Sequence, residues 1–153
     1  MRGISFEIPN TYGKYLFEIL EGINIKEFTW KIGNGESYFI DNNQLGNSLF
    51  PTSCIFDGKK LYKEISKEDY YLIFVDLKGF TKKEDIRKVA TYQEFIESEC
   101  QFVLLIVDSS YVTIYSKDQV TLNHIFFKAV SVGYENIEYI TDENDTRTTL
   151  IAF

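Results

Sequence analysis

Two long apolar segments limit what this chain of 153 residues can fold into. Residues 70–77 and 102–107 are apolar almost throughout, without the alternation that marks a strand with one face in water. Strands that are covered on both faces have this pattern, so we expect the two segments to be central strands of a sheet. Both are far shorter than the roughly 20 residues that cross a bilayer, so we expect no membrane contact.

The first quarter of the chain predicts the element order β-α-β-β. Apolar and polar residues alternate over residues 2–8, as in a half-buried strand, and apolar residues recur at intervals of three and four over residues 11–23, as in a helix. A second strand is predicted at residues 28–32. The Gly-Asn-Gly sequence at 33–35 supplies the positive φ values of a hairpin turn, which predicts pairing with a third strand at 37–40.

Turn and capping residues divide the middle of the chain. Residues 41–53 have the composition of a loop, and Asp57-Gly58 predicts a turn between two short strands. A capping box, which is a Ser or Thr followed three residues later by Glu or Gln, predicts the start of a helix. Three such boxes occur, at Thr81 with Glu84, Thr91 with Glu94, and Ser116 with Gln119.

A hairpin and a helix are predicted after the second apolar run. The turn residues 108–110 join that run to an alternating segment at 111–115. The helix that follows has His124 on one side and its apolar residues on the other, at Leu122, Ile125, Phe126, Ala129, Val130 and Gly133.

The end of the chain completes the fold prediction. The acidic segment 141–145 predicts a last hairpin between residues 137–140 and 147–153. Because hairpins dominate, we predict a single α+β domain over residues 1–153. Its mainly antiparallel or mixed β-sheet should carry helices packed largely on one face.

Negative charge is concentrated in the second half of the chain. Residues 1–88 hold 13 basic and 13 acidic side chains, whereas residues 89–153 hold 3 basic and 10 acidic ones, which accounts for the whole net charge of −7. Nucleic-acid binding requires several Lys or Arg side chains at phosphates, so we expect no nucleic-acid partner. A basic protein is the partner that this charge favours.

Cysteine and histidine content argues against a disulfide framework and a zinc site. Cys54 and Cys100 are too few and too far apart for a disulfide framework or a CxxC motif, and His124 is the only histidine. The N-terminal residues also lack the pattern of a signal peptide. We therefore expect a cytoplasmic protein with reduced thiols, no metal and no cofactor.

The densest polar cluster is the segment 142–147. Asp142, Glu143 and Asp145 could bind a hard cation through oxygen ligands, or Arg147 could clamp a carboxylate or phosphate while Asp142 or Asp145 acts as a base. The same residue types form ordinary turns, with Arg147 neutralising Asp142 across a hairpin, and we favour that structural interpretation. The spacing fits an EF-hand poorly, because the loop glycine and the distal glutamate are missing.

Two other polar segments suggest chemistry only weakly. Asp108-Ser109-Ser110 places a serine after a buried strand, but it lacks the Gly-x-Ser-x-Gly frame, and His124 is predicted on the far side of a helix. The basic segment 78–88 could contact a phosphate or an acidic partner, with Phe80 stacking on it. A solvated helix start is the more common role of such a segment.

Tyrosines are the most informative candidates for binding. Tyr111 and Tyr115 fall on the same face of one predicted strand, beside the acidic segment. If that face is open, the two rings form a contact surface of the kind that protein interfaces favour. If helices cover it, the rings belong to the core. Phe127, which lies off the apolar face of its helix, belongs either to the same patch or to another one.

Four segments of the chain resemble an uncharacterised family of small bacterial proteins, a domain of unknown function. They are residues 1–10, 70–78, 107–115 and 139–147, and the resemblance spans nearly the whole chain. It implies a bacterial, cytoplasmic origin, and it assigns no activity, ligand or catalytic residue.

Two functions follow from these observations. The first is a small, non-enzymatic regulatory or toxin-neutralising module whose acidic, tyrosine-bearing C-terminal half docks a basic protein. The second is a small enzyme or ligand-binding domain with a pocket around Asp142, Asp145 and Arg147, together with Asp76.

Overall fold

A computed structural model describes residues 1–152 of the chain. Within these residues the chain forms nine β-strands, four α-helices and two short 3-10 helices. The strands are β1 (Gly3–Glu7), β2 (Thr29–Ile32), β3 (Glu36–Asp41), β4 (Gln44–Ser48), β5 (Cys54–Asp57), β6 (Tyr70–Phe80), β7 (Cys100–Val107), β8 (Tyr111–Ser116) and β9 (Glu135–Ile140). The helices are α1 (Tyr15–Leu20), α2 (Gly58–Lys67), α3 (Tyr92–Glu97) and α4 (Gln119–Val132). The 3-10 helices are Ile25–Glu27 and Lys83–Asp85.

All strands join one antiparallel sheet, which confirms the predicted α+β class. Its main order is β4-β3-β6-β7-β8-β1-β9, and β2 lies between β5 and β6. The two apolar segments are β6 and β7, which pair with each other near the middle of the sheet, as predicted. The hairpin of β7 and β8 is also confirmed, and its turn residues Asp108 and Ser109 have positive φ.

Strand β6 is long enough to pair with two strands along one edge. Its first half, residues 70–74, pairs with β3, and its last four residues, 77–80, pair with β2. The predicted hairpin across 33–35 is therefore wrong, because β2 and β3 follow one another along β6 instead of pairing together. The sheet is split where β2 ends, and Asp76 of β6 lies opposite the split. There the Gly33 N–H donates to the Asp76 carbonyl over 2.9 Å.

Helices α1, α2 and α4 cover one side of the sheet, which we call the helical face. They bury a core that includes Trp30, Leu61, Ile65 and Leu122. The predicted turn between two short strands at Asp57-Gly58 is wrong, and a helix, α2, begins there instead. Asp57 caps this helix by accepting from the Lys60 N–H over 2.7 Å. The predicted helix over 11–23 is confirmed only as the shorter α1.

The three predicted capping boxes have different outcomes. Thr91 caps α3 by accepting from the Glu94 N–H over 3.1 Å, which confirms that box. At α4 the cap is Asp118, not Ser116, and it accepts from the Val120 N–H over 3.0 Å. The box at Thr81 is wrong, because only a 3-10 turn without a side-chain cap follows it.

The opposite face of the sheet carries a second, smaller core. Helix α3 and the segment after residue 147 pack here, and the cluster includes Phe95, Val103, Tyr115 and Leu150. The predicted terminal hairpin is wrong, because β9 forms but the segment 147–152 is not a strand. That segment crosses the opposite face, where the Leu150 N–H donates to the Ala90 carbonyl over 2.8 Å. Phe153, the last residue of the predicted hairpin, lies outside the described residues.

Among residues 1–152, no helix combines the length and the apolar character that crossing a membrane would demand. Both cysteines are free thiols, and burial raises the pKa of Cys100 to about 11.

Candidate functional site

The opposite face is divided into a covered half and an open half, and the two predicted tyrosines fall on different sides of that division. Tyr115 is fully buried, in contact with the rings of Tyr92 and Phe95. Tyr111, four residues earlier on the same strand face, is 55% exposed. The two rings therefore do not form one surface, and only Tyr111 is available to a partner.

The open half, which we call the open face, is defined by two rows of side chains across β8, β1 and β9. In one row Thr113 pairs with Ser5, and Ser5 with Glu138. In the other Tyr111 pairs with Glu7, and Glu7 with Glu135. The open face thus places one exposed aromatic ring beside three carboxylates.

The acidic segment after β9 is anchored by Arg2 instead of Arg147. The Arg2 guanidinium donates to Asp142 Oδ1 over 2.8 Å and to Asp145 Oδ2 over 3.2 Å, and it stacks 4.0 Å from the Tyr92 ring centre. Hydrogen bonding to Arg2 holds the pKa of Asp142 below its usual range. The same bond to Asp142 raises the pKa of Arg2.

Asp145 is the buried anchor of this segment. Its side chain is 4% exposed, and it accepts from the Tyr115 hydroxyl over 3.1 Å and from the Arg147 backbone N–H over 3.1 Å. Burial raises the pKa of Tyr115, and the charge of Asp145 raises it further. Tyr115 therefore stays protonated as a donor to Asp145.

Within residues 1–152, the side chains of Arg147 and Glu143 form no ion pair with Asp142. The Arg147 guanidinium donates to the Thr149 and Ile151 carbonyls over 3.1 and 3.4 Å, so it stabilises the C-terminal segment. Glu143 is exposed and makes no ion pair within residues 1–152. A shallow pocket of about 190 Å³ lies between this segment and the open face, where Glu138, Thr113, Asp145 and Arg147 contribute to its lining.

Removing the Asp145 carboxylate is expected to destabilise the fold. Asp145→Ala should lower the free energy of unfolding by about 2–3 kcal/mol, because Tyr115, Arg2 and the Arg147 N–H lose one shared acceptor. The matched variant Asp142→Ala removes a side chain that is 80% exposed, so it should change stability much less than Asp145→Ala. Urea denaturation of both variants measures the difference, and equal losses would contradict the anchoring role of Asp145.

A buried ion pair lies at the split of the sheet, and sequence reasoning missed it. Lys78 Nζ donates to Asp76 Oδ1 over 2.6 Å, and the two side chains are 7% and 5% exposed. They project to the same face because they are two residues apart on β6. The signal in the sequence was the interruption of an apolar strand by one acidic and one basic residue. Phe80, predicted to stack on a ligand, is fully buried.

The serine and histidine considered for nucleophilic chemistry lie in separate environments. The Ser109 hydroxyl is hydrogen-bonded to the Tyr71 hydroxyl over 3.1 Å, at the turn after β7. His124 is exposed on α4, where its Nε2 lies so close to Gly22 that a Cβ at that position would clash with it. Within residues 1–152, no group of three or more His, Cys, Asp or Glu side chains is arranged to hold a metal ion.

Comparisons with known proteins agree with the resemblance seen in the sequence. No solved structure matches the chain. A relative from Bacillus subtilis (strain 168), described as "Uncharacterized protein YncE", is 42% identical over 150 residues, which is 97% of each chain. The model of a family described as "Protein of unknown function (DUF2691)" matches residues 1–151. The chain therefore belongs to the DUF2691 family.

Proposed function

We propose that this protein is a cytoplasmic, non-enzymatic binding module that docks a basic protein on its open face. The observation that carries the proposal is the exposure of Tyr111 beside carboxylates that have no cationic partner. Among residues 1–152, Glu7, Glu135 and Glu138 make no ion pair. The cytoplasmic compartment is proposed because both cysteines are free thiols.

Charge repulsion within the open face favours a cationic partner. Glu7 pairs with Glu135 beside a β-bulge between β1 and β9, and like charges that meet on adjacent strands destabilise a sheet. The Asn136 side chain donates to Glu7, which satisfies one carboxylate without neutralising it. A Lys or Arg of the partner would remove the repulsion on binding. Complementary charge would also speed the encounter and make it sensitive to salt.

Tyr111 supplies the apolar part of the contact. A tyrosine ring buries a large area at low entropic cost, and tyrosines are enriched among the residues that dominate interface energetics. The neighbouring pocket of about 190 Å³ offers the exposed Glu138 carboxylate to a cationic side chain. The proposed interface thus combines one aromatic contact with an acidic pocket for a Lys or Arg side chain of the partner.

The second function predicted from the sequence, a small enzyme or ligand-binding domain around Asp142, Asp145 and Arg147, stays a prediction. The contacts of these residues favour a structural role. Asp145 bonds to three groups of the protein, and Arg147 donates to two backbone carbonyls. Asp76, which was grouped with them, lies at the split of the sheet with Lys78.

Affinity capture with variants of the open face tests the proposal. The protein is immobilised on a support and incubated at low ionic strength with a lysate of Bacillus subtilis, the organism of the 42% identical relative. Captured proteins are identified by mass spectrometry. We expect a basic protein whose affinity, measured by calorimetry after purification, falls strongly as salt rises. Tyr111→Ala should weaken its binding by about tenfold or more. Phe127→Ala, which alters an exposed ring on α4 that is 67% accessible, should bind like the wild type.

A second variant separates binding from stability. Glu135→Gln removes the repulsion with Glu7, so it should raise the free energy of unfolding by about a few tenths of a kcal/mol. The same substitution should weaken the binding of the basic protein. Three outcomes would contradict the proposal: no basic protein is captured, the affinity is the same at low and high salt, or Phe127→Ala weakens binding as much as Tyr111→Ala.

A further inference from the structure

We infer that the cavity above the Asp76–Lys78 pair is a binding site for a small doubly charged oxyanion of the phosphate-monoester class. The cavity lies on the opposite face, at the split of the sheet, and has a volume of about 210 Å³. Pockets for drug-sized ligands measure roughly 300–1,000 Å³, so this one suits a smaller molecule. It is separate from the open face and from the proposed protein partner.

The charges that line the cavity select an anion. Lys31, Lys78 and Lys88 contribute to its walls, and Asp76 is the only acidic residue among the described lining residues. Three ammonium groups against one carboxylate give a net charge of +2, which a dianion neutralises. The protein as a whole carries −7, so this concentration of positive charge is local.

Lys78 has a donor left for a ligand. An ammonium group has three N–H donors, and two of them are used, by Asp76 Oδ1 and by the Leu150 carbonyl, both over 2.6 Å. The Asp76 carboxylate is held in turn by the Ala152 backbone N–H over 3.3 Å. The pair is therefore fixed from both sides, and the third N–H of Lys78 can donate to an oxyanion without breaking either bond.

Two polar side chains at the rim of the cavity are available to donate hydrogen bonds to a ligand. Asn34, in the Gly-Asn-Gly segment, and Ser53 both line the cavity, and neither side chain makes a hydrogen bond within residues 1–152. The close approach of this segment depends on a glycine, because a Cβ at Gly33 would lie 3.0 Å from the Asp76 Cγ. An amide and a hydroxyl can therefore donate to the ligand from the rim while Lys78 donates from the floor.

The identity of the cations favours phosphate over a carboxylate. Arginine binds carboxylates through two parallel hydrogen bonds, whereas lysine acts as a point charge and is a frequent phosphate ligand. The described lining residues include three lysines and no arginine. Three point charges around one cavity match the tetrahedral, multiply charged phosphate group better than a planar, singly charged carboxylate.

Titration with inorganic phosphate and with phenyl phosphate tests the inference on the full-length protein. Binding is followed by calorimetry and by the amide NMR signals of Gly33, Asn34 and Ile151, since all three residues line the cavity. We expect saturable binding that shifts these signals, and about tenfold weaker binding in Lys31→Ala and in Lys88→Ala. Both lysines lie outside the buried pair, so these variants should fold.

Matched controls distinguish specific binding in the cavity from nonspecific attraction of phosphate to surface lysines. Lys82→Ala removes an exposed lysine that does not line the cavity, so it should bind phosphate like the wild type. Acetate should bind at least about tenfold more weakly than phosphate, because it carries one charge. Absence of saturable phosphate binding would overturn the inference, as would equal losses in Lys82→Ala and Lys88→Ala. Acetate binding as tight as phosphate would assign the site to carboxylates instead.

Discussion

Replacing Lys78 by methionine is expected to lower the free energy of unfolding by about 3–5 kcal/mol. The substitution keeps a long apolar stem but leaves the Asp76 carboxylate, which is 5% exposed, without its cation. It also removes the donor to the Leu150 carbonyl. A buried, unpaired charge is among the most destabilising changes a single substitution can make, so this should be one of the largest single-site effects in the chain.

The double variant Asp76→Leu with Lys78→Met shows whether the charge is the cause. Removing both charges should restore most of the loss and leave the protein within about 1–2 kcal/mol of the wild type, because apolar replacement of a buried ion pair is often nearly neutral. Chemical denaturation of the wild type, both single variants and the double variant completes the cycle. A double variant as unstable as Lys78→Met would contradict this explanation.

Truncating Leu150 to alanine is expected to cost about 2–4 kcal/mol. Leu150 is 1% exposed in the core of the opposite face, and its backbone accepts from Lys78 and donates to Ala90. A cavity at this position would loosen the segment that covers the ion pair. The effect should therefore include faster hydrogen exchange at the Ala152 N–H, which donates to Asp76.

The neighbouring residue provides the control for Leu150. Ile151 is 38% exposed, so Ile151→Ala should change the free energy of unfolding by much less than Leu150→Ala. Thermal and urea denaturation of the two variants measure the contrast. If both substitutions had the same small effect, the C-terminal segment would not be part of the core.

Local patterns predicted most of the strands, but fewer of the partners of those strands. Strand β4 was missed, because it lies in the segment 41–53, which has the composition of a loop. The apolar content of β6 and β7 and the alternation in β1 and β8 identified these strands, because burial on one or two faces leaves a direct trace in sequence. The segment 33–35 could form a hairpin, but pairing along β6 depends on a strand more than 30 residues away. Pairing between strands that are far apart in the chain leaves no periodic pattern in the sequence.

Residues that serve in both turns and caps caused other errors in the predicted fold. Asp57 fits a turn and a helix N-cap equally well, and burial of Leu61 and Ile65 against the helical face decides for the helix. Ser116 and Asp118 compete for the start of α4 in the same way. The C-terminal segment was predicted to pair with β9, but burial of Leu150 over the opposite face determines its course.

The candidate sites were only partly predictable for related reasons. Alternation placed Tyr111 and Tyr115 on one face, but it could not show that α3 covers only one of the two rings. Proximity in sequence favoured Arg147 as the partner of Asp142, whereas the actual partner, Arg2, is 140 residues away. The cavity above the Asp76–Lys78 pair combines residues from five separate parts of the chain, at 31–34, 53, 76–78, 88–89 and 151. Of its three lysines, only Lys78 and Lys88 belong to the predicted basic segment.

Hydroxyl-radical footprinting of the complex with the captured basic protein tests the proposed function most directly. Tyr111 and Phe127 are both exposed aromatic side chains, on the open face and on α4 respectively, so both should be oxidised in the free protein. Binding on the open face predicts that the complex protects Tyr111 and leaves Phe127 as reactive as before. Protection of Phe127 with unchanged oxidation of Tyr111 would place the partner on the helical side and contradict the proposal.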